Sequence, residues 1–180
     1  MLPASMPRVH YLRTETHSRA IKAGLKDCKH LVVVGAGLIG LEAAASAAEL
    51  GMEVTVIEFA PRIMARSCDE ETAALILAEH QHRGVEFDLS TSIEQATAQL
   101  NGSIALETSQ GDLTVADLVV VGTGVKPDAA LAQAAGLDVQ DGILVVTSFQ
   151  RHRREGAGGG ETVEHRHPDV DQGHVDARVC

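Results

Sequence analysis

The sequence predicts an α/β fold: a doubly wound parallel sheet with a small antiparallel meander inserted and a disordered C-terminal tail. Three observations lead to this prediction. Short apolar runs rich in valine alternate with helical segments, as in parallel strands joined by helical crossovers. A glycine-rich turn follows the first of these runs, and two hairpin-turn signals divide a later stretch of short segments. Beyond residue 150 the chain contains no leucine, isoleucine, methionine or aromatic residue.

Composition restricts the class of protein. With 180 residues, 44% of them hydrophobic, the chain suits one domain with a core. A net charge of -10 and an aromatic content of 2% argue against nucleic acid as a partner, because phosphate contacts need basic residues and base stacking needs aromatic ones. No apolar segment reaches the roughly 20 residues that cross a membrane. Cys28, Cys68 and Cys180 match neither a disulfide framework nor a metal site, which predicts a cytoplasmic protein with free thiols.

Residues 1–30 are expected to form a separate N-terminal segment, with a loop containing two prolines, a helix over 16–26 and a basic connection. Residues 31–149 form the main domain, which opens with a buried strand over 31–34. The following helix is expected to end at Gly51, because glycine is a common C-terminal stop.

The turn between this first strand and its helix has the glycine spacing of a dinucleotide-binding site. Gly35 lets the chain turn sharply, and Gly37 removes a side chain so that a pyrophosphate can approach the N–H groups that open the helix. Gly40 and Ala44 give the helix a face of small residues that can pack closely on the sheet. Glycines before a helix can mean only a tight connection, but here the whole strand–turn–helix–strand order accompanies them. The candidate cofactor-binding residues of this turn are Gly35, Gly37, Leu38, Ile39 and Gly40.

A second strand is expected over 53–58, and it ends in an acidic residue, Glu58. A carboxylate at this place can accept hydrogen bonds from the 2′- and 3′-hydroxyls of a ribose, whereas it repels a 2′-phosphate. The sequence therefore predicts a preference for NADH over NADPH. Arg62 is the nearest cation that would weaken this preference.

Further along the chain we expect a loop over 60–68, a helix over 69–83 that Gly84 stops, and a strand over 85–89. An antiparallel meander over 93–118 is expected because Asn101-Gly102 and Gly111-Asp112 are hairpin signals. A buried strand over 117–121, a helix over 129–135 and an apolar run over 143–146 complete the domain. Ligands bind such sheets at the carboxyl ends of the strands, where Gly35, Glu58 and Gly122 lie.

Residues 150–180 lack the side chains to offset the entropy lost on ordering, which predicts a disordered tail. His165, His167 and His174 leave a metal site open there, although nothing orients these ligands. The histidines outside the tail are scattered along the chain, and we expect solvated side chains for all of them: His10, His17, His30, His80 and His82. The sequence offers no catalytic nucleophile, general base or metal cluster.

Three segments together resemble the NADH-binding domain of the pyridine nucleotide-disulfide oxidoreductase superfamily. They are GAGLIGLEAAASAAELGMEVTVIE (35–58), PRIMAR (61–66) and DLVVVGTGVKPD (117–128). Within the superfamily the chain is most similar to the FAD-dependent ferredoxin and rubredoxin reductases that supply aromatic-ring dioxygenases and cytochromes P450. VHYLRT (9–14) is similar to the crossover between the FAD and NAD domains of those enzymes, and the likeness covers residues 9–149.

The resemblance implies a role for each motif residue. The three glycines of the turn would hold the NAD pyrophosphate, Glu58 the adenosine ribose, and Glu42 would approach the nicotinamide. The remaining cofactor-binding residues implied are Arg66, Gly122, Thr123 and Gly124, of which the last three would border the nicotinamide where it meets the flavin. From the residues alone, Glu42 is equally a carboxylate favoured in a first helical turn, and Gly122 and Gly124 can be a strand-ending turn. An intact enzyme of this kind would pass hydride from NADH to FAD, and single electrons from the flavin to a ferredoxin or rubredoxin.

The chain departs from the family pattern at both ends. Family members begin with an FAD-binding unit, and after their last strand they carry an ATG-type motif and an interface domain. We therefore expect a severed domain, with its end read out of frame, that binds NAD(H) but is inactive alone. Two alternatives stay open: the corresponding domain of a flavoprotein disulfide reductase or nitrite reductase, and an NADH-binding module without catalysis.

Overall fold

The structure is a computed structural model that describes residues 2–3 and 5–144. Its contacts divide the chain into two units, residues 1–124 and 125–180. The elements in chain order are β1 (Val9–Tyr11), α1 (Glu15–Gly24), β2 (His30–Val34), α2 (Leu38–Glu49), β3 (Glu53–Ile57), α3 (Glu70–His82), β4 (Val85–Asp88), β5 (Ile93–Ala98), β6 (Ile104–Thr108), β7 (Leu113–Ala116), β8 (Leu118–Val121) and α4 (Ala130–Ala134).

Two sheets form the first unit. Five parallel strands lie in the order β1-β8-β2-β3-β4, and three antiparallel strands lie in the order β5-β6-β7. This confirms the predicted Rossmann-like parallel sheet with an inserted meander. The turns of the meander fall at the two expected hairpin signals, where Gly102 and Gly111 have φ angles of +87° and +84°.

The parallel sheet is buried on both faces, which explains its runs of valine. Leu31 and Val33 pack into a core with residues of α2 and α3, whereas Val32, between them, packs into a second core with Ile104 and Leu106 of the meander. The helices therefore cover one face of the parallel sheet, and the antiparallel sheet covers the other. Both cores are apolar at the centre of the sheet, where Val32 and Val33 are fully buried.

The predicted helices agree with the structure to within two residues. The helix expected over 16–26 is α1, followed by a single 3-10 turn over Leu25–Asp27. The helix expected over 69–83 is α3, which begins after Asp69 because the carboxylate of this residue accepts a hydrogen bond from the Thr72 N–H at 2.8 Å. The same contact holds the pKa of Asp69 below its usual value.

Strand β1 was not expected. It pairs in parallel with β8 at the edge of the sheet, with Val9 opposite Val119. Three residues are too few to give a period-2 pattern, so a strand this short is visible only through its partner.

The expectation of solvated histidines is wrong for His30 and His80. The His30 ring lies 2.7 Å from the Val115 carbonyl oxygen and 2.9 Å from the Thr55 hydroxyl, so it joins β2 to β7 and β3. The His80 ring lies 2.9 Å from the Ile76 carbonyl oxygen and contacts Phe87 edge to face. The partners of His30 are remote in sequence, and the second nitrogen of the His80 ring lies 3.3 Å from the carbonyl oxygen of Leu41, which is also remote, so the local pattern carries no sign of these contacts.

The second unit contains α4, which covers the middle of the helix expected over 129–135. Val139 and Ile143 form an antiparallel bridge. The description of the chain ends at residue 144, so it includes only the first two residues of the apolar run expected over 143–146. The expected tail, with the three histidines of the alternative metal site, lies outside the described residues.

Candidate functional site

Three backbone segments close the glycine turn. Gly35 has a φ of +104°, which favours glycine, and its N–H donates to the Ile57 carbonyl oxygen at 2.8 Å. A Cβ atom built on Gly35 would lie 2.8 Å from the carbonyl oxygen of Gly122, and one built on Gly40 would lie 1.9 Å from that of Gly35. Gly35, Gly40 and Gly122 are therefore in contact through their backbones, which brings the ends of β2 and β8 against the first turn of α2.

Gly37 differs from these three glycines. It is the N-cap of α2, its φ of -84° is open to any residue, and a Cβ atom built on it would meet nothing within 4 Å. Gly37 supplies no side-chain cap to α2, so the N–H groups that open the helix at Leu38 and Ile39 receive no hydrogen bond from an N-cap side chain. The turn therefore presents a helix N-terminus, with its partial positive charge, beside an open space at Gly37.

Glu58 lies directly after β3 and is held by the turn. One of its carboxylate oxygens accepts from the Ala36 N–H at 2.5 Å, and the other accepts from the Ala60 N–H at 2.8 Å. Its backbone is also fixed, since its N–H donates to the Asp88 carbonyl oxygen and its own carbonyl oxygen accepts from Thr91. A carboxylate oxygen has more than one lone pair, so this half-buried group can still accept from a hydroxyl.

The segment 61–68 folds onto the same turn. The Met64 N–H donates to the Ala36 carbonyl oxygen at 2.9 Å, and Met64 has a φ of +51°. The Arg62 guanidinium donates to the Ala65 carbonyl oxygen at 3.0 Å, so it is occupied within its own loop. Arg66 is exposed, and its Nη2 atom lies 3.4 Å from where a Cβ atom of Gly124 would be. Arg66 and the end of β8 are therefore close neighbours.

Glu42 is placed differently. It lies with Leu38 along an apolar cavity of about 220 Å³ between α2 and α3, which is also lined by Leu41, Ala45, Met64, Ile76 and His80. None of residues 122–124 lines this cavity. The structure thus brings Glu58 and the three packed glycines together, while it places Glu42 along the cavity between α2 and α3.

The part of the chain that the structure describes contains no cluster of metal ligands, and its buried cysteine, Cys28, is not activated. No three histidine, cysteine or acidic side chains come together there as metal ligands. Burial, and then the Asp117 carboxylate, raises the pKa of the Cys28 thiol to about 11, so this thiol is a poor nucleophile. Within residues 2–3 and 5–144, no helix has the length and apolar character that a membrane crossing requires.

Comparison with known proteins decides the family. The model of the pyridine nucleotide-disulphide oxidoreductase family matches residues 1–156. The chain belongs to this family. Among curated members, it is 42% identical over 159 residues to the ferredoxin–NAD(+) reductase component of the anthranilate 1,2-dioxygenase system of Burkholderia cepacia, a match that covers 88% of this chain and 39% of that protein. It is 41% identical to rhodocoxin reductase of Rhodococcus erythropolis, over 79% of this chain and 33% of that protein.

Solved structures of the family have the same fold. The ferredoxin reductase for the CYP199A2 system of Rhodopseudomonas palustris has a TM-score of 0.72 and 40% identity over 79% of this chain and 35% of that one. The covalent complex of putidaredoxin reductase with putidaredoxin matches with a TM-score of 0.72 and 31% identity, over 83% of this chain and 37% of that one. The chain thus spans between a third and two-fifths of the length of these family members.

Two backbone groups of the site were not foreseen. The Ala36 and Ala60 N–H groups hold the Glu58 carboxylate, and Ala36 also accepts from Met64 through its carbonyl oxygen. An alanine carries no chemical signal of this role. Ala36 lies inside the glycine spacing, which is the one sign that could have pointed to it, whereas Ala60 has no such sign.

Proposed function

We propose that residues 31–124 bind NAD(H), as part of a flavoenzyme that passes electrons from NADH through FAD to a ferredoxin or rubredoxin. The observation that carries the proposal is the fixed Glu58 carboxylate beside the open N-terminus of α2. Together they supply an acceptor for ribose hydroxyls and a positive end for a pyrophosphate. The names of the relatives, which are ferredoxin–NAD(+) and rubredoxin–NAD(+) reductases, support the choice of cofactor and of electron acceptor.

In this proposal each part of the site binds or orients one part of the nucleotide. The pyrophosphate lies over Gly37, against the N–H groups of Leu38 and Ile39. The nicotinamide extends toward Gly122, Thr123 and Gly124, where the absence of two side chains lets a ring approach the backbone. When bound, NADH supplies a hydride and FAD accepts it. The protein's own part is to fix the nucleotide and keep water from it.

Arg66 and Glu42 are proposed to take part in nucleotide binding, but on weaker structural grounds than Glu58 and the glycine turn. Arg66 is exposed beside Gly124, where its charge can attract the anionic nucleotide. Glu42 is assigned to the nicotinamide end on the family motif, although the structure places it in the cavity between α2 and α3. The cysteine pattern favours a reducing compartment, so a cytoplasmic location belongs to the same proposal.

A second candidate function is that of a NAD-dependent persulfide reductase, because the solved structure of such an enzyme from A. fulgidus also matches this chain. It matches with 34% identity over 79% of this chain. The ferredoxin–NAD(+) reductase of Burkholderia cepacia and rhodocoxin reductase are more similar, at 42% and 41%, which favours the ferredoxin branch. Both candidates require NADH at this site, so nucleotide binding tests what they share.

We expect the chain to bind NADH about tenfold or more tightly than NADPH, because the Glu58 carboxylate repels a 2′-phosphate. Replacing Glu58 by glutamine should narrow this ratio to a few-fold. The change removes the charge, and it turns an amide N–H₂ toward either the Ala36 or the Ala60 N–H. Calorimetric titration of both variants with both nucleotides measures the ratio.

The matched control is Glu53→Gln, the same substitution at the exposed start of β3, which should leave the ratio unchanged. Equal or tighter binding of NADPH by the parent chain would contradict the assignment of Glu58. The electron-transfer part is tested by joining the chain to the remaining domains of a ferredoxin–NAD(+) reductase relative. A flavin-loaded protein of this kind that fails to oxidise NADH with ferricyanide would overturn the reductase proposal.

A further inference from the structure

Phe59, the residue after Glu58, is unusually exposed for an aromatic side chain in a fixed segment. It is 81% exposed, and neither hydrophobic core includes it. Of the other aromatic side chains in the described part of the chain, Tyr11 and Phe87 are both half-buried and packed against a core. A single exposed apolar residue is ordinary on a protein surface, so its position decides whether it has a role.

The backbone around Phe59 is held on both sides. On one side, the Glu58 N–H donates to the Asp88 carbonyl oxygen, and the Thr91 N–H donates to the Glu58 carbonyl oxygen, each at 2.9 Å. On the other side, the Ala60 N–H donates to the Glu58 carboxylate, and the Ser90 N–H donates to the Ala60 carbonyl oxygen at 3.0 Å. The exposed ring is therefore attached to a fixed turn rather than to a loose loop.

The same turn fixes Phe59 beside the proposed ribose acceptor. In a nucleotide the base is attached to C1′, next to the carbon that carries the 2′-hydroxyl, so the base lies close to the ribose acceptor. Of the two residues that flank Glu58, Ile57 is buried and Phe59 is exposed, so Phe59 is the one whose side chain a bound base can reach. An aromatic ring stacks on a purine of any identity, and such stacking contributes about tenfold or more to affinity per base. A rigid aromatic side chain also loses little conformational entropy when it is covered.

We infer that Phe59 is the stacking platform for the adenine of the bound dinucleotide. The inference rests on the proposed function, because it places the adenine next to the ribose that Glu58 is proposed to hold. It adds a specificity element to the site: Phe59 selects a ligand that carries an aromatic base, while Glu58 selects against a 2′-phosphate.

The chain contains no tryptophan, so Phe59→Trp introduces a single indole whose fluorescence reports on this position alone. Titration with ADP-ribose, which has no nicotinamide, should quench or shift this emission at saturation. Nicotinamide mononucleotide, which has no adenine, should leave it unchanged at the same concentration. In calorimetric titrations Phe59→Ala should weaken ADP-ribose binding about tenfold, and Phe59→Tyr should restore it.

Leu75→Ala is the matched control, since Leu75 is an apolar side chain on α3 that is 69% exposed. It should leave ADP-ribose affinity unchanged. If NADH binds the parent chain but Phe59→Ala binds ADP-ribose as tightly as the parent, the inference is overturned and the proposed function stands. If the parent binds neither NADH nor ADP-ribose, both fail.

Discussion

Replacing Gly40 by alanine is expected to destabilise the protein by about 3 kcal/mol, the largest effect of any single methyl group in the glycine turn. The added Cβ atom would lie 1.9 Å from the carbonyl oxygen of Gly35, and this neighbour is backbone that cannot rotate away. Gly35 in turn lies against Gly122, so Gly35 cannot retreat from the added atom without pressing on the residue that follows β8. Urea unfolding followed by circular dichroism measures the loss of stability.

A suitable control for Gly40→Ala is Ser46→Ala, a substitution at an exposed position of the same helix. Its unfolding midpoint should stay close to that of the parent, because alanine is the better helix former and no contact is lost. A Gly40→Ala variant that unfolds at the parent's midpoint would mean that α2 does not pack on the glycine turn as described.

The parts of the site that could be predicted are those whose cause is local. Gly35 must turn with a positive φ, Gly40 must admit a carbonyl oxygen, and Glu58 must follow a buried strand. Each requirement restricts the residue type at its own position, so the spacing along the chain records it. The hairpin signals in the meander are local in the same sense, because the φ of +87° at Gly102 favours glycine there.

The contacts that could not be predicted join residues that are far apart in sequence. The His30 ring contacts Val115, 85 residues away, and Thr55, which lies on another strand. In β6 the side chains of Ile104 and Leu106 are buried, but nothing in these two residues specifies which face of the parallel sheet they will cover. Such choices are made by the fit of whole surfaces, which no single residue encodes.

Glu42 shows the limit of a motif. Its place in GLE comes from the family pattern, yet in the described structure Glu42 lines the cavity between α2 and α3, together with Leu38, Met64 and His80. A motif records that a residue type recurs at a position, and a contact has to be established by geometry. The role of Glu42 therefore stays a proposal, whereas the contact between Glu58 and Ala36 is a feature of the structure.

Replacing Gly37 by serine is expected to separate binding from stability. Serine is a preferred N-cap residue, the φ of -84° at this position suits it, and a Cβ atom there meets nothing within 4 Å. Its hydroxyl can accept a hydrogen bond from an N–H group in the first turn of α2, and these are the groups proposed to hold the pyrophosphate. Stability should thus stay equal or rise by a few tenths of a kcal/mol, while NADH affinity falls about tenfold or more.

Gly51→Ser, the same substitution at the other end of α2, is expected to lower stability and to leave NADH affinity unchanged. Gly51 has a φ of +80°, so serine is strained there and stability falls by about 1 kcal/mol, while NADH affinity is unchanged. Urea unfolding and calorimetric titration of the two variants give four values, of which only the affinity of Gly37→Ser and the stability of Gly51→Ser should fall. If Gly37→Ser binds NADH as tightly as the parent, the pyrophosphate does not lie at the N-terminus of α2, and the proposed position of the whole nucleotide is wrong.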